Sequence, residues 1–384
     1  MKKAIKKIIN NIGIFIISII YKFFWIFKIK NNKIVVVSFF GKGFGDSGKY
    51  ICNELNKRSK DYDIVWLAKD VNSFFPDYVR VVRYNSLKSF YELATAKIWI
   101  DNSRKRPYIS KRKKQFYMQT WHSNLRLKKI EKDAGTDLDK QYIWYAKKDS
   151  KMANAIIAGC DFSYNTIKNS FWYDGPIYKT GIPRCDELFN NSNEIIKNVK
   201  SKLGIENIDN VILYAPTFRK NHNIDLSEMN DLIGKLKEKY NKNFILLVRF
   251  HPISNQAIEE NEYIKNVTNY PDMQELIKVC DVLVTDYSGC MFDAAIAHKK
   301  CVLYIPDYED YISNQRELYF DFDTLPFDKT YTFKELGNVV VNIDEAKYNS
   351  KIDDFLKYIN CYEKGESSKN VADIIEGVLL NGKV

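Results

Sequence analysis

The chain has 384 residues, too many for one ordinary domain, and its 45% hydrophobic and 28% charged content excludes a disordered chain. A formal charge of +11 points to an anionic partner: nucleic acid, an anionic membrane face or a phosphate-bearing substrate. Seven scattered cysteines, with no CxxC pair and no metal-ligand spacing, argue against a full disulfide framework and for buried free thiols in a reducing compartment.

Residues 1–30 stand apart. Met1-Lys2-Lys3-Ala4-Ile5-Lys6-Lys7 is basic, Ile12 to Tyr21 carries no charge, and Phe23-Phe24-Trp25-Ile26-Phe27 lies between Lys22 and Lys28. The stretch falls short of the roughly 20 apolar residues of a spanning helix. It also lacks a small-residue cleavage site. The expectation is an amphipathic or hydrophobic helix lying in an anionic membrane interface, with a spanning signal anchor as competitor. Positive flanks place the remainder on the cytoplasmic face of the cell membrane, with the chain peripheral or anchored at its N terminus.

From Lys33 the pattern changes to short apolar strands alternating with helical segments. Strands are expected at 34–39, 64–68, 79–83, 97–100 and 115–120, with a helix over 48–59. A second series follows the turn at Gly181-Ile182-Pro183-Arg184 and a polar helix over 192–203. It has strands at 211–215, 244–250, 281–285 and 301–305 and helices at 228–240, 272–280 and 290–298. Near-continuous apolar strands separated by helices indicate parallel, doubly covered sheets. Two such α/β domains are expected, 31–186 and 187–384, facing a cleft where strand ends present loops to ligands. The terminal helix, about 367–380, is assigned to the second domain, with packing across the first as the alternative.

Chemistry concentrates at strand ends. Gly43 to Tyr50 nearly matches GxxxxGK[ST], but Tyr50 stands where a Mg²⁺-holding hydroxyl belongs, so a glycine turn is the plainer reading. Thr120-Trp121-His122 ends a strand and precedes Arg126, Lys128 and Lys129. Histidine suits proton transfer near neutrality, and a hydrogen-bonded structural histidine is the alternative. Tyr214-Ala215-Pro216-Thr217-Phe218-Arg219, Val248-Arg249-Phe250-His251-Pro252 and Thr285-Asp286-Tyr287-Ser288-Gly289 end three strands of the second series. Ser288 reads either as a helix N-cap or as part of a phosphate cradle at a helix N terminus. Arginine offers a bidentate fork for phosphate oxygens. Asp321-Phe322-Asp323 resembles a DxD metal motif without supporting ligands, and His222 and His298 read as ordinary polar positions. No metal and no cofactor are expected.

With these residues in view, the chain resembles the CDP-glycerol glycerophosphotransferase family of teichoic-acid and related polyol-phosphate polymer synthesis. The resemblance rests on Thr120-Trp121-His122 with Leu127-Lys128-Lys129, Gly181-Ile182-Pro183-Arg184, Ala215-Pro216-Thr217-Phe218-Arg219 and Arg249-Phe250-His251-Pro252. It continues through Thr285-Asp286-Tyr287-Ser288 with Phe292-Asp293, and Arg316 with Tyr319-Phe320-Asp321. It implies a GT-B-like fold, two Rossmann-like domains facing a central cleft, the first on the acceptor side and the second binding the donor. His122 and His251 would then be the two catalytic residues, His122 as base, with Arg249 and His251 on the donor diphosphate. Pro216, Thr217, Arg219, Phe250, Ser288, Gly289 and Asp293 would line the donor side, with Arg184 nearby, while Lys128, Lys129 and Arg316 are candidate acceptor or phosphate contacts.

The family often reads Trp-His-Gly-Thr-Pro where this chain has Trp121-His122-Ser123-Asn124-Leu125, and often has a second serine at Gly289. The expected reaction passes glycerol phosphate, or a related polyol phosphate, from a CDP-polyol donor to a hydroxyl of a lipid-linked or polymeric glycan acceptor, releasing CMP. A GT-B glycosyltransferase using a nucleotide sugar is the rival. A basic nucleic-acid-binding protein is the alternative of another class, with no recognisable module to support it.

Overall fold

Residues 2–58, 61–190, 193–217, 226–250, 256–314 and 317–381 are described by the computed structural model. Short β-branched and aromatic runs become strands, the chain between them is largely helical, and neighbouring strands in both sheets pair in parallel. Two compact units result. Unit 1 comprises Met1–Asn124, Ile130–Asp186 and Tyr362–Val384; unit 2 comprises Leu125–Lys129 and Glu187–Cys361.

Unit 1 is built on β1 (Lys30–Val37), β2 (Asp63–Ala68), β3 (Arg80–Arg83), β4 (Ala96–Asp101), β5 (Phe116–Gln119), β6 (Ala155–Ile157) and β7 (Ile177–Tyr178). Their order is β3-β2-β1-β4-β5-β6-β7, so the sheet reverses direction of growth between β1 and β4. Such a reversal leaves a crevice beyond the strand C-terminal ends, where ligands of α/β sheets bind. Val35 pairs with Val65 on one side and Trp99 on the other. All three are fully buried with Leu67 and Tyr117. Each such side chain stabilises the unit by roughly 1.5–3 kcal/mol through burial.

Helices around this sheet and its strand ends include α1 (Lys2–Phe23), α2 (Asp46–Lys57), α3 (Leu87–Thr95) and α4 (Lys140–Met152). Gly48 of α2 sits where an added Cβ would lie 2.8 Å from a Val36 methyl and 2.9 Å from the Trp66 ring. The GxxxxGK-like tract therefore spends its last glycine on packing α2 against the sheet. Helix α1 turns Tyr21 wholly into the core, edge-on to Phe90 at 5.8 Å. Its opposite side leaves Ile12, Phe15, Ile16, Ile19 and Phe23 exposed. Among the described residues, no helix is long and apolar enough to cross a membrane.

Unit 2 repeats the plan with β8 (Asn210–Tyr214), β9 (Phe244–Val248), β10 (Ile264–Asn266), β11 (Val282–Thr285), β12 (Lys300–Tyr304) and β13 (Asp328–Thr330). The order β10-β9-β8-β11-β12-β13 reverses between β8 and β11. Ile212, Leu246, Val248, Val284 and Val302 fill one face of its core with Ile233 and Leu236 of the helix Ser227–Tyr240.

The structure departs from sequence expectation in three places. Strands β6, β7, β10 and β13, of two or three residues, were not expected, because a period of two needs a longer run to show. Residues 125–129 cluster with unit 2, through an antiparallel bridge between Lys128 and Leu318. The terminal helix, Ser367–Asn381, belongs to unit 1 rather than to the second domain: Val371, Ala372 and Ile375 are fully buried and Arg58 of unit 1 pairs with Asp373 at 2.7 Å.

Candidate functional site

In unit 1 the loops after β1, β4 and β5 converge at the reversal point. Asn102, one residue past β4, ties them together. Its Oδ1 accepts from Phe39 N at 2.8 Å, its Nδ2 donates to Ser38 Oγ at 3.2 Å, and its carbonyl faces His122 Nδ1 at 2.9 Å. A carbonyl only accepts, so Nδ1 carries the proton and the lone pair of a neutral imidazole resides on Nε2. Such a ring is oriented to take a proton through Nε2.

The backbone around the ring is unusual. Phe39, Phe40 and Trp121 all have positive φ, at 43°, 57° and 54°. Non-glycine residues there cost on the order of 1–3 kcal/mol each, and such strain clusters at functional sites. Trp121 is held by Gln119 Oε1, which accepts from its N–H at 2.8 Å, and by its ring packing on Phe171 at 4.8 Å. Its other neighbour is His122 itself, whose ring centroid lies 4.6 Å away. The imidazole is solvent-exposed although its support is buried.

That support rests on a buried ionic network. Arg104 pairs with Glu131 at 2.9 Å and Asp149 at 3.3 Å and lies over the Trp121 ring, while Lys105 pairs with Asp101 at 2.7 Å. Burial pushes the Asp149 carboxyl up to about 6, against the opposing pull of Arg104. Downstream of His122, Asn124 accepts from Gly159 N at 3.1 Å and donates to Glu363 at 3.5 Å. Arg184 is buried in unit 1, 3.5 Å from Asp46 at the start of α2.

In unit 2 the reversal point lies between β8 and β11, and Asp286 bridges it. Its carboxylate accepts from Thr217 N at 2.8 Å and Thr217 Oγ1 at 2.6 Å, which fixes the Pro216 turn after β8 to the loop after β11. Arg249 follows β9, with its N–H donating to the Tyr214 carbonyl at 2.9 Å. Its Nη1 is buried without a hydrogen-bond partner among the described residues. Burial holds the guanidinium below its ordinary value, partly offset by the charge of Asp272. A buried guanidinium nitrogen with nothing to donate to is costly unless a ligand supplies an acceptor.

The neighbouring residues sort themselves around this cation. Phe250 is buried and donates its N–H to Thr268 Oγ1 at 3.1 Å. Asp293 accepts from Gln274 Nε2 at 2.8 Å. The helix after β11 runs Cys290–Ile296 with Gly289 as its N-cap and no side-chain capping bond, so Ser288 is not the cap. Lys129 pairs with Glu317 at 2.5 Å, and Lys128 lies over the Tyr311 ring at 5.1 Å. Asp321 caps a short turn by accepting from Asp323 N at 3.0 Å. Arg219, His222, His251 and Arg316 lie outside the described residues.

Sequence reasoning missed Asn102, Gln119, Asn124 and Glu363. A polar residue directly after an apolar strand was the available signal for Asn102. Nothing local marks Glu363, which meets Asn124 from 239 residues away.

Comparison with known proteins agrees with this layout. Residues 19–377 match the family described as CDP-Glycerol:Poly(glycerophosphate) glycerophosphotransferase. The chain is 30% identical to a teichoic acid poly(glycerol phosphate) polymerase of Bacillus spizizenii, covering 98% of this chain and 100% of that protein. It is 29% identical to a teichoic acid glycerol-phosphate transferase of Staphylococcus aureus, covering 98% and 99%. Its fold is similar to the solved wall teichoic acid polymerase TagF, with a TM-score of 0.86 and 25% identity over 97% of this chain and 96% of that one.

Proposed function

We propose that this chain, which belongs to the CDP-glycerol:poly(glycerophosphate) glycerophosphotransferase family, passes glycerol phosphate from CDP-glycerol to a hydroxyl of a membrane-linked polyol-phosphate or glycan acceptor. In this reading His122 Nε2 removes the acceptor proton as its oxygen attacks the phosphorus bearing glycerol. A new P–O bond forms to the acceptor, the anhydride P–O bond to the nucleotide breaks, and CMP leaves with the electron pair. Arg249 meets the donor diphosphate, in the surroundings formed by Pro216, Thr217, Phe250, Ser288, Gly289 and Asp293. Charge stabilisation of this kind is the main demand of phosphoryl transfer.

The observation that carries the reading is the buried Arg249 Nη1, which has no acceptor among the described residues and sits at a strand end of a Rossmann-like sheet. His122 with its proton fixed on Nδ1 supports the base role. The exposed apolar row of α1, with Lys22 and Lys28 at its C-terminal end, supports peripheral attachment to an anionic membrane.

Incubating the enzyme with CDP-glycerol, CDP-ribitol and UDP-sugars tests the donor. CMP release that depends on an added polyol-phosphate acceptor is expected with CDP-glycerol. His122→Ala should lower that rate by about 10²- to 10⁴-fold with donor affinity little changed. UDP release from sugar nucleotides, with no CMP from either CDP-polyol, sinks the proposal.

A further inference from the structure

His122 and the carbonyl that orients it both lie beyond the end of strand pairing. β4 and β5 pair as far as Asp101 with Gln119, and Thr120 N donates to the Asp101 carbonyl at 2.9 Å. Asn102 and Trp121 come next on the two sides, where the chain has left both strands for loops. Holding the Asn102 carbonyl 2.9 Å from His122 Nδ1 thus falls to side chains.

Gln119, the last residue of β5, is buried and reaches across these loops. Its Nε2 donates to the Ser103 carbonyl at 3.0 Å and its Oε1 accepts from Trp121 N at 2.8 Å. Both partners are backbone groups, one only an acceptor and one only a donor, so the amide has a single orientation. Nε2 also donates to the Tyr117 hydroxyl at 2.8 Å, and that hydroxyl donates to Asp149 Oδ1 at 3.2 Å.

Each end of the amide bears on the imidazole. Ser103 follows Asn102, so the donor end fixes the loop that supplies the carbonyl to Nδ1. Trp121 precedes His122, so the acceptor end fixes the turn from which the imidazole projects. Trp121 holds φ at 54°, a region costly for a residue with a side chain. Its ring is stacked on His122 with centroids 4.6 Å apart, so a shift at Trp121 moves the imidazole.

We propose that Gln119 is a positioning residue for His122. Its amide clamps the carbonyl-bearing loop to the strained turn, which keeps the proton on Nδ1 and leaves Nε2 to accept. The inference rests on the proposed reaction, in which His122 is the base, and Gln119 acts there through His122 alone.

Steady-state kinetics with CDP-glycerol and a polyol-phosphate acceptor test it, using Gln119→Met, which keeps the length of the side chain and loses both bonds. kcat should fall about 10²-fold, the order expected of a 1 Å misplacement, with KM for CDP-glycerol little changed. In a His122→Ala background the same substitution should cost nothing further, because no base is left to position. Met118→Ala, buried on the opposite face of β5, is the comparator: it should lower the melting temperature and leave kcat unchanged. ¹⁵N-histidine NMR of the full chain, which has four histidines, reads the ring directly, the His122 signal being the one missing from His122→Ala. Wild type should carry its proton on Nδ1, and Gln119→Met should populate the Nε2–H form. An Nε2–H ring in wild type overturns the inference even where the variant does not fold. So does a loss in Gln119→Met that multiplies the loss in His122→Ala. An unchanged rate in His122→Ala would instead remove the base from the reaction, and this inference with it.

Discussion

Glu363 is a carboxyl wedged between two glycine turns. Both of its oxygens accept from Ile182 N at 3.0 Å, and Ser367 Oγ donates to it at 3.2 Å. A Cβ on Gly159 would come within 2.2 Å of Glu363 Oε1, and one on Gly181 within 2.8 Å of Oε2, so both turns need their glycine. Burial pushes the Glu363 carboxyl up to about 8, with the Ile182 N–H pulling the other way. A group easier to protonate when folded contributes its full stability below the unfolded value, near 4.3, and loses it as pH rises through about 8. Glu363→Gln mimics the neutral form. It should flatten the fall in unfolding free energy between pH 5 and 9, by an amount on the order of a few kcal/mol at the alkaline end. Parallel profiles for wild type and variant would show that the folded protein ionises Glu363 as readily as the unfolded chain does. Because Asn124 bridges this carboxyl to the strand region after His122, the same variant reports on the support of that loop.

Among the elements, α1 carries the sharpest division of labour. One side buries Tyr21 and packs Ile17 against the core, where Phe24 and Trp25 of the following turn join them, so removing residues 1–30 would damage unit 1 along with any attachment to lipid. Substitution on the outer row separates the two roles. Phe15→Ser with Ile19→Ser should leave the melting temperature nearly unchanged, since both side chains are exposed. Sedimentation with vesicles containing anionic lipid should fall at least tenfold, because inserting each of these side chains is worth roughly 1.5–3 kcal/mol. Equal sedimentation of the double variant would place the membrane contact elsewhere. The strands behave differently. Long apolar runs such as Ile34-Val35-Val36-Val37 were legible in the sequence. β7 and β10 exist because a neighbouring strand completes their hydrogen bonds, through Ile156 paired with Ile177 and Leu246 with Ile264.

For the whole molecule, the path of the chain matters more than its division in two. After completing unit 2 it returns at Tyr362, and the helix Ser367–Asn381 lies against unit 1 beside α2. Val371, Ala372, Ile375 and Val378 are essentially unexposed, and Arg58 pairs with Asp373 and Glu376. Burial of the three larger side chains contributes about 5–8 kcal/mol in total, comparable to the whole stability of a domain. A chain ending after Cys361 should therefore lose cooperative melting of unit 1, and limited proteolysis should cut within residues 30–120. Persistence of a protease-resistant unit 1 would show that the terminal helix is dispensable.

By itself the sequence determined the α/β class, the two series of strands and the strand-end motifs that carry the family. It also marked His122, Thr217 and Arg249, because each stands where an apolar run stops and a polar loop begins. Those signals are local, written in the spacing of neighbouring residues. Only the tertiary structure decided which proton position His122 holds, since that depends on the Asn102 carbonyl from another strand end. The exchange of residues 125–129 and 362–384 between units was decided there too. So was the burial of Glu363 against Asn124. Contacts between residues hundreds of positions apart leave no periodic trace in one sequence, and they exist only once packing has chosen them.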